Sequence, residues 1–341
     1  MARERMGTLR TRSGAVLVID MGLLDLWSHD REPNIPEGVL SEEARLNANS
    51  GPDFIIEGKD ATRAAELFNH SVQPPYELDV PTNTQAWLRA AFAERLEGHG
   101  LDARLRALPG RVPHRDRVAL ALAGSVRGGI VQFAGVWAVA TAGLPTARDI
   151  PVFGERVRRG ENEGRYSEVH LEVAGHEWVE SSQLIGKVMV DKARLMFVDP
   201  DALGAWVHDR SLDGKADFVF WGRDAAEVAR KTRAPHLDDG IFGWVDLDID
   251  AVLEKGLPIE EGRGLGGLRV ATDFRPHSHH YLVMRDVRSS PTESGTLELA
   301  GTKLCGFMTT WGDGAWDVVR DVNARGELVR VRVIFDADRA P

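Results

Sequence analysis

The sequence predicts an α+β protein made of two similar domains, each with a mainly antiparallel sheet and two or three helices. Three observations carry this. The chain repeats itself in five blocks that keep one order. Within each copy the helical patterns come early and the strand patterns late, instead of alternating. The length, 341 residues, suits about two domains at ~100–200 residues each.

The repeat is read directly from the residues. Positions 6–30 match 185–209 without a gap, with identities at Gly7/Gly186, Asp20/Asp199, Leu24/Leu203, Trp27/Trp206, His29/His208 and Asp30/Asp209. Positions 52–68 match 216–232. Weaker matches set Val112-Pro113-His114 against Arg275-Pro276-His277, Ala134-Gly135 against Ala300-Gly301, and 164–173 against 326–335. The first copy then spans 1–175, a linker 176–184, and the second copy 185–341. An insertion at 31–51, rich in Pro, Asn, Gly and Glu, reads as a surface loop. Two fused copies are expected to pack about a pseudo-twofold axis, imitating a homodimer of a single-copy ancestor. The chain itself is then a monomer or a homodimer.

Each element has a local reason. Two alternating strands open each copy, the second ending at Asp20 or Asp199. That Asp starts a short helix, and Asp199-Pro200 reads as an N-cap followed by Pro at the first helical position. A buried strand follows (DFIIE, DFVFW), then a Gly-basic-Asp turn and a helix. Asp224 and Glu227 have the spacing of a capping box. A short strand (YELDV, GWVDLDI) leads into another helix, at 84–97 and 250–255. From there both copies read as strands to the end, and NARG at 323–326 reads as a hairpin turn. The apolar run 128–144 reads as a buried hairpin, because it holds four glycines and Gln132 and its partner carries Glu298 and Lys303.

Composition excludes several classes. Hydrophobic residues at 43% and charged residues at 28% rule out a disordered chain. A net charge of −10, with no Lys/Arg stripe, argues against a nucleic-acid partner. The single Cys305 excludes an internal disulfide framework and a cysteine-built zinc site; its strand position suits a buried thiol. The basic start has no apolar stretch of signal-peptide type, so a cytoplasmic protein away from membranes is expected.

Thr309-Thr310-Trp311-Gly312-Asp313-Gly314-Ala315-Trp316 leads into the terminal hairpin. The run resembles the C-terminal signature of a family of uncharacterised bacterial proteins, T-x-[WY]-G-D-G-aromatic followed by strand–turn–strand. The likeness covers about 305–335. Some such proteins resemble members of toxin–immunity systems, so the resemblance implies an immunity-type binding protein; it implies no catalytic residues and no assigned activity.

Candidate sites fall mostly in the second copy. The pair His208-Asp209, matched by His29-Asp30, has the elements of an acid–base dyad, against a structural role at a helix end. On a strand, His277 and His279 of the run His277-Ser278-His279-His280 would share a face and, with Asp313, hold a divalent metal. Asp246, Asp248 and Asp250 would likewise share a strand face. Gly262–Gly267 reads as a loop, since a strand and not a helix follows it. Trp311 and Trp316 flank Asp313 and would supply aromatic contact area.

The first expectation is therefore a non-enzymatic protein without a cofactor, binding a protein partner through Trp311, Asp313, Trp316, His208 and Asp209. The second is a metal-dependent hydrolase built on His277, His279 and Asp313. The third is a small-molecule sensor with its pocket between the copies.

Overall fold

Alternation and turn chemistry in the sequence become strands joined by tight turns, with helices inserted between the third and sixth strands of the first half and between the third and seventh of the second. A computed structural model describes residues 3–30, 54–67, 76–78, 85–107, 112–124, 126–133, 136–175, 177–264 and 267–336. The expected insertion loop at 31–51 and the Ala134-Gly135 turn lie outside the described residues.

The first half runs β1 (Arg3–Leu9), β2 (Ala15–Asp20), a 3-10 turn (Met21–Leu26), β3 (Phe54–Glu57), α1 (Ala61–Leu67), β4 (Tyr76–Leu78), α2 (Gln85–His99), β5 (Arg104–Ala107), α3 (His114–Leu122), β6 (Gly128–Phe133), β7 (Val136–Ala142), β8 (Ile150–Arg156) and β9 (Tyr166–Glu172). The second half runs β10 (Ser181–Val190), β11 (Arg194–Val198), a 3-10 turn (Pro200–Ala205), β12 (Lys215–Trp221), α4 (Ala225–Thr232), β13 (His236–Asp238), β14 (Ile241–Asp248), α5 (Ile249–Gly264), β15 (Ala271–Pro276), α6 (His279–Ser289), β16 (Ser294–Leu299), β17 (Thr302–Met308), β18 (Gly314–Val322) and β19 (Leu328–Ile334). The class is α+β, with antiparallel pairing in the sheets.

Helices α3 and α6 depart from the expected run of strands. Each opens on a histidine, and Pro113 directly precedes the first, a residue that fits the start of a helix. Helix α5 is also longer than expected and carries Pro258 in its interior. The hairpin reading of 128–144 holds, with β6 pairing β7. The NARG turn holds too, closed by the Gly326 N–H to the Asn323 carbonyl. The capping box does not form: Asp224 instead accepts the Arg269 N–H at 2.8 Å, and Asp60 accepts the Asp102 N–H at 2.9 Å. Gly58 and Gly222 open the turns that carry these aspartates. A Cβ there would stand 2.5 Å from the Asp102 carbonyl oxygen and 2.8 Å from that of Arg269. Only glycine lets the third strand pass so close.

Compactness divides the chain elsewhere than at residues 176–184, whose last four residues begin β10. One unit is Met1–Ala205 with Val287–Pro341, the other Trp206–Asp286. In the first unit two six-stranded sheets, ordered β1-β8-β9-β19-β18-β10 and β16-β17-β11-β2-β7-β6, share one apolar core. Tyr166, Val169, Val331 and Val333 of one sheet join Val18, Val139, Phe197 and Phe307 of the other. Cys305 lies in this core, fully buried, with its thiol pushed up to about 12 by burial. A three-stranded sheet, β4-β3-β5, packs separately on Phe92 and Leu96 of α2. The second unit is the sheet β13-β14-β12-β15, with Phe218, Phe220 and Trp244 central to its core.

Both six-stranded sheets draw three strands from each half of the sequence. Each reads alike from its two ends. At the middle of one, Val18 faces Phe197; these two residues occupy the same position in the 6–30/185–209 match. At the middle of the other, His170 faces Arg332, again the same position, in the 164–173/326–335 match. A reciprocal clasp accompanies this pairing. Asp199 Oδ2 accepts from the Thr11 hydroxyl (2.9 Å) and from the Arg12 and Ser13 N–H groups (2.6 and 3.0 Å), which form the β1–β2 turn. Asp20 Oδ2 accepts from the Asp191 and Lys192 N–H groups (2.7 and 2.9 Å), which form the β10–β11 turn.

Candidate functional site

The Trp-x-His-Asp motifs follow the two 3-10 turns and serve the fold. Trp27 Nε1 donates to His29 Nδ1 at 3.4 Å, and the Trp27 ring stacks on His114. The His114 Nδ1 accepts the Ser28 N–H at 2.9 Å. The second unit repeats this arrangement. Trp206 Nε1 donates to His208 Nδ1 at 3.2 Å, Trp206 stacks on His279, and His279 Nδ1 accepts the Val207 N–H at 2.9 Å. An indole N–H only donates, so each Nδ1 that it meets is an unprotonated acceptor. His208 Nε2 stands 3.9 Å from Asp209, beyond hydrogen-bond range, and its ring stacks on His280. His208 and Asp209 therefore form no acid–base dyad. Burial pushes the Asp209 carboxyl up and the His279 imidazole down.

This pairing also corrects the alignment of the third block. The spatial counterpart of His114 is His279, each at the first position of a helix, and not His277. His277 follows β15, so His277 and His279 do not share a strand face.

His277 is instead the centre of a polar cluster. Its Nδ1 lies 3.1 Å from Asp213 Oδ2 and its Nε2 3.1 Å from Asp217 Oδ1. Its ring stacks on Tyr281, whose hydroxyl donates to Asp217 Oδ2 at 2.8 Å. The Asp246 N–H completes the set on Asp217 at 2.8 Å. Asp246 takes a left-handed backbone with φ 62°, beside a bulge in the β12–β14 ladder. Asp248 ends β14 and Asp250 lies in the first turn of α5, so the three carboxylates do not line one strand face.

Burial lowers the His277 pKa, but the hydrogen bonds to Asp217 and Asp213 outweigh it and raise the group above its ordinary value. In return the Asp213 carboxyl is held down at about 2, chiefly by His277. A histidine with raised folded pKa stabilises below its unfolded pKa and loses that contribution as pH rises through the folded value. His277 is thus expected to titrate above 6.5 by NMR, with the second unit losing stability on the alkaline side. Asp217→Asn should lower that titration; an unchanged His277 pKa would show that the contacts are not made in solution.

The proposed metal residues are each engaged with protein groups. His277 meets two carboxylates, His279 accepts a backbone N–H, and Asp313 Oδ1 accepts the Ala193 N–H at 2.8 Å. Among the described residues no group of three His, Cys, Asp or Glu side chains could hold a metal ion. No helix among them is long and apolar enough to cross a membrane.

The Thr309–Trp316 run is a structural turn. The Thr309 hydroxyl donates to the Gly312 carbonyl at 2.8 Å, and Thr310, at φ 60°, accepts the Tyr166 N–H at 2.8 Å. Trp311 Nε1 donates to the Tyr166 carbonyl. Trp311 and Trp316 are half-buried against the sandwich core, and Trp316 also meets Phe335 edge-on at 5.3 Å. These side chains tie the β17–β18 turn to β9.

A different tryptophan is exposed. Trp178 is 85% exposed, in the segment between β9 and β10. It lines a cleft of about 340 Å³ with Arg3, Glu172, Glu177, Val329 and Arg330. The walls come from both halves of the sequence. Arg3 pairs through Nη2 with Glu172 and lies over the Phe153 ring. Arg330 Nε and Nη2 both bond Asp321 Oδ2 at 3.0 Å. Glu177 is held by Arg325 and Asn323 of the β18–β19 turn. Arg3 has its pKa lowered, first by burial and then by the positive charge of Arg330. Behind the cleft the ion network continues inward: Arg332 meets Glu168 at 3.0 Å and Asp321 at 2.9 Å, and His170 meets Glu168 at 2.9 Å. Burial raises the Glu168 carboxyl, but the His170 hydrogen bond and the Arg332 charge outweigh it and hold the group down at about 2. Sequence reasoning placed Trp178 in a linker. The available signal was one tryptophan inside the otherwise polar stretch GHEWVESSQL.

No known protein family, curated protein or solved structure matches the chain.

Proposed function

We propose that the chain is a non-enzymatic binding protein, derived by internal duplication, that takes a small ligand in the cleft between its two repeats. The exposed Trp178 over that cleft carries the reading. An exposed indole beside paired charges is a ready contact surface, and a cleft of about 340 Å³ is at the small end of ligand sites. The duplication is supported by the two sheet midlines, where Val18 meets Phe197 and His170 meets Arg332. The histidines that resemble catalytic groups hold backbone N–H groups, indoles or carboxylates, which favours binding over catalysis. The indoles of Trp311 and Trp316 pack on the core, so recognition through them has less support than recognition at Trp178.

The test is a screen of metabolite-sized fragments, read at the Trp178 indole N–H by NMR and assigned with Trp178→Phe. At least one fragment should shift that resonance, and Trp178→Ala should weaken its binding by about tenfold or more. The melting temperature should hardly move, since an exposed side chain contributes within about 0.5 kcal/mol. A Trp178 signal unmoved by every fragment would overturn the reading.

A further inference from the structure

We infer that the cleft is selective for a small aromatic carboxylic acid, its carboxylate set between Arg3 and Arg330 and its ring against Trp178. This rests on the cleft being a ligand site. The first support is the pair of guanidiniums. They line the cleft together with Glu172 and Glu177, but Glu172 is taken by Arg3 and Glu177 by Arg325 and Asn323, so an anion between the two guanidiniums meets carboxylates already paired and relieves the repulsion between like charges. The second is the supply of donors. A guanidinium carries five N–H groups in a fixed fork. Glu172 engages Arg3 through Nη2, and Asp321 engages Arg330 through Nε and Nη2. Among the described residues Arg3 Nε and Nη1 and Arg330 Nη1 make no hydrogen bond, and can serve a further carboxylate. That geometry suits a planar two-oxygen acceptor better than a single-point anion.

The third support is the difference between the repeats. In the 164–173/326–335 match, Arg330 stands where the first copy has Glu168, and Glu172 stands where the second copy has Ile334. Glu168 is already satisfied by Arg332 and His170. The related position at the other end of the central β9–β19 pair therefore carries a carboxylate already paired, while this end carries an arginine. A feature present at one end only is not required to build two similar halves. The fourth is the indole itself: Trp178 offers a flat apolar face next to the charges, which fits an aromatic body attached to the acid.

The experiment uses three probes of one shape on the full chain: benzoate, benzamide and benzylamine, followed by ligand-observed NMR. Benzoate should bind and the neutral and cationic probes should not. Arg3→Met and Trp178→Ala should each weaken benzoate by about tenfold or more. Equal binding of benzamide or benzylamine overturns the carboxylate selectivity while leaving the cleft as a site. Benzoate that binds Arg3→Met as well as the parent sits elsewhere and also overturns it. If none of the three binds, the carboxylate inference falls, and the Trp178 fragment screen decides separately whether the cleft binds anything.

Discussion

Arg332→Met should lower the stability of the sandwich unit by about 3 kcal/mol, because it removes the cation that bridges two buried carboxylates and leaves Asp321 to Arg330 and Ser182, and Glu168 to His170. Arg332 bridges Glu168 and Asp321, and Asp321 is fully buried. Glu168→Gln alone should cost less, since Arg332 keeps Asp321. The pH dependence has a definite sign. Glu168 is held at about 2 in the folded chain, below the ordinary carboxylate range. Its contribution is full above the unfolded pKa, near ~4.3, and disappears as pH falls through about 2. Urea unfolding of parent and variant between pH 7 and pH 2 measures both effects. A loss under about 1 kcal/mol at pH 7 would place the network in solvent.

The second large effect belongs to the clasp. Asp199→Ala should cost roughly 3 kcal/mol, because it leaves the Arg12 and Ser13 N–H groups and the Thr11 hydroxyl without their acceptor. Asp199→Asn keeps one acceptor oxygen and should cost less. Burial raises the Asp199 carboxyl, but the Ser13 and Arg12 N–H donors outweigh it and lower the group overall. Its share is present above the unfolded carboxylate pKa and lost as pH falls through the folded one. At Asp20 burial prevails and the pKa is raised. That share is present below the unfolded pKa and lost as pH rises through the folded value. The two related aspartates should thus respond to pH in opposite directions. Thermal unfolding of Asp20→Ala and Asp199→Ala across pH 3–7 tests this; parallel profiles would contradict it.

Much of the fold was legible because periodicity and turn chemistry are local. β2, β12, the 128–144 hairpin and the Gly-x-Asp turns follow from alternation and from glycine's freedom. The residues that face each other at both sheet midlines occupy matched positions of the repeat, although the match alone does not say which positions meet. Helices α3 and α6 were not legible. Their histidines and arginines lack a clean apolar period, and each helix opens on a histidine whose ring takes a distant backbone N–H. The capping box failed because tertiary contact redirected Asp224 to Arg269. The site was the least legible part. Motif reading favours clustered histidines and tryptophans, and here those side chains are spent on holding turns. Trp178 is isolated in sequence, and its cleft exists only because Arg3 and Arg330 arrive from opposite ends of the chain.

The shared sheets also set how the chain can fold during synthesis. When β9 has left the ribosome, the first half holds two strands, β9 and β2, whose partners β19 and β11 belong to the second half. Until those partners emerge, both strands present open edges of the kind that recruit other chains. Among the described residues, positions 3–9 have no strand partner near them in sequence; they pair with β8 at 150–156, and the sheet closes only when 328–334 arrives. Pairings this far apart in sequence slow folding and lengthen exposure. A first half alone is therefore expected to leave those edges open, and supplying the second half as a separate polypeptide would offer it the missing strands.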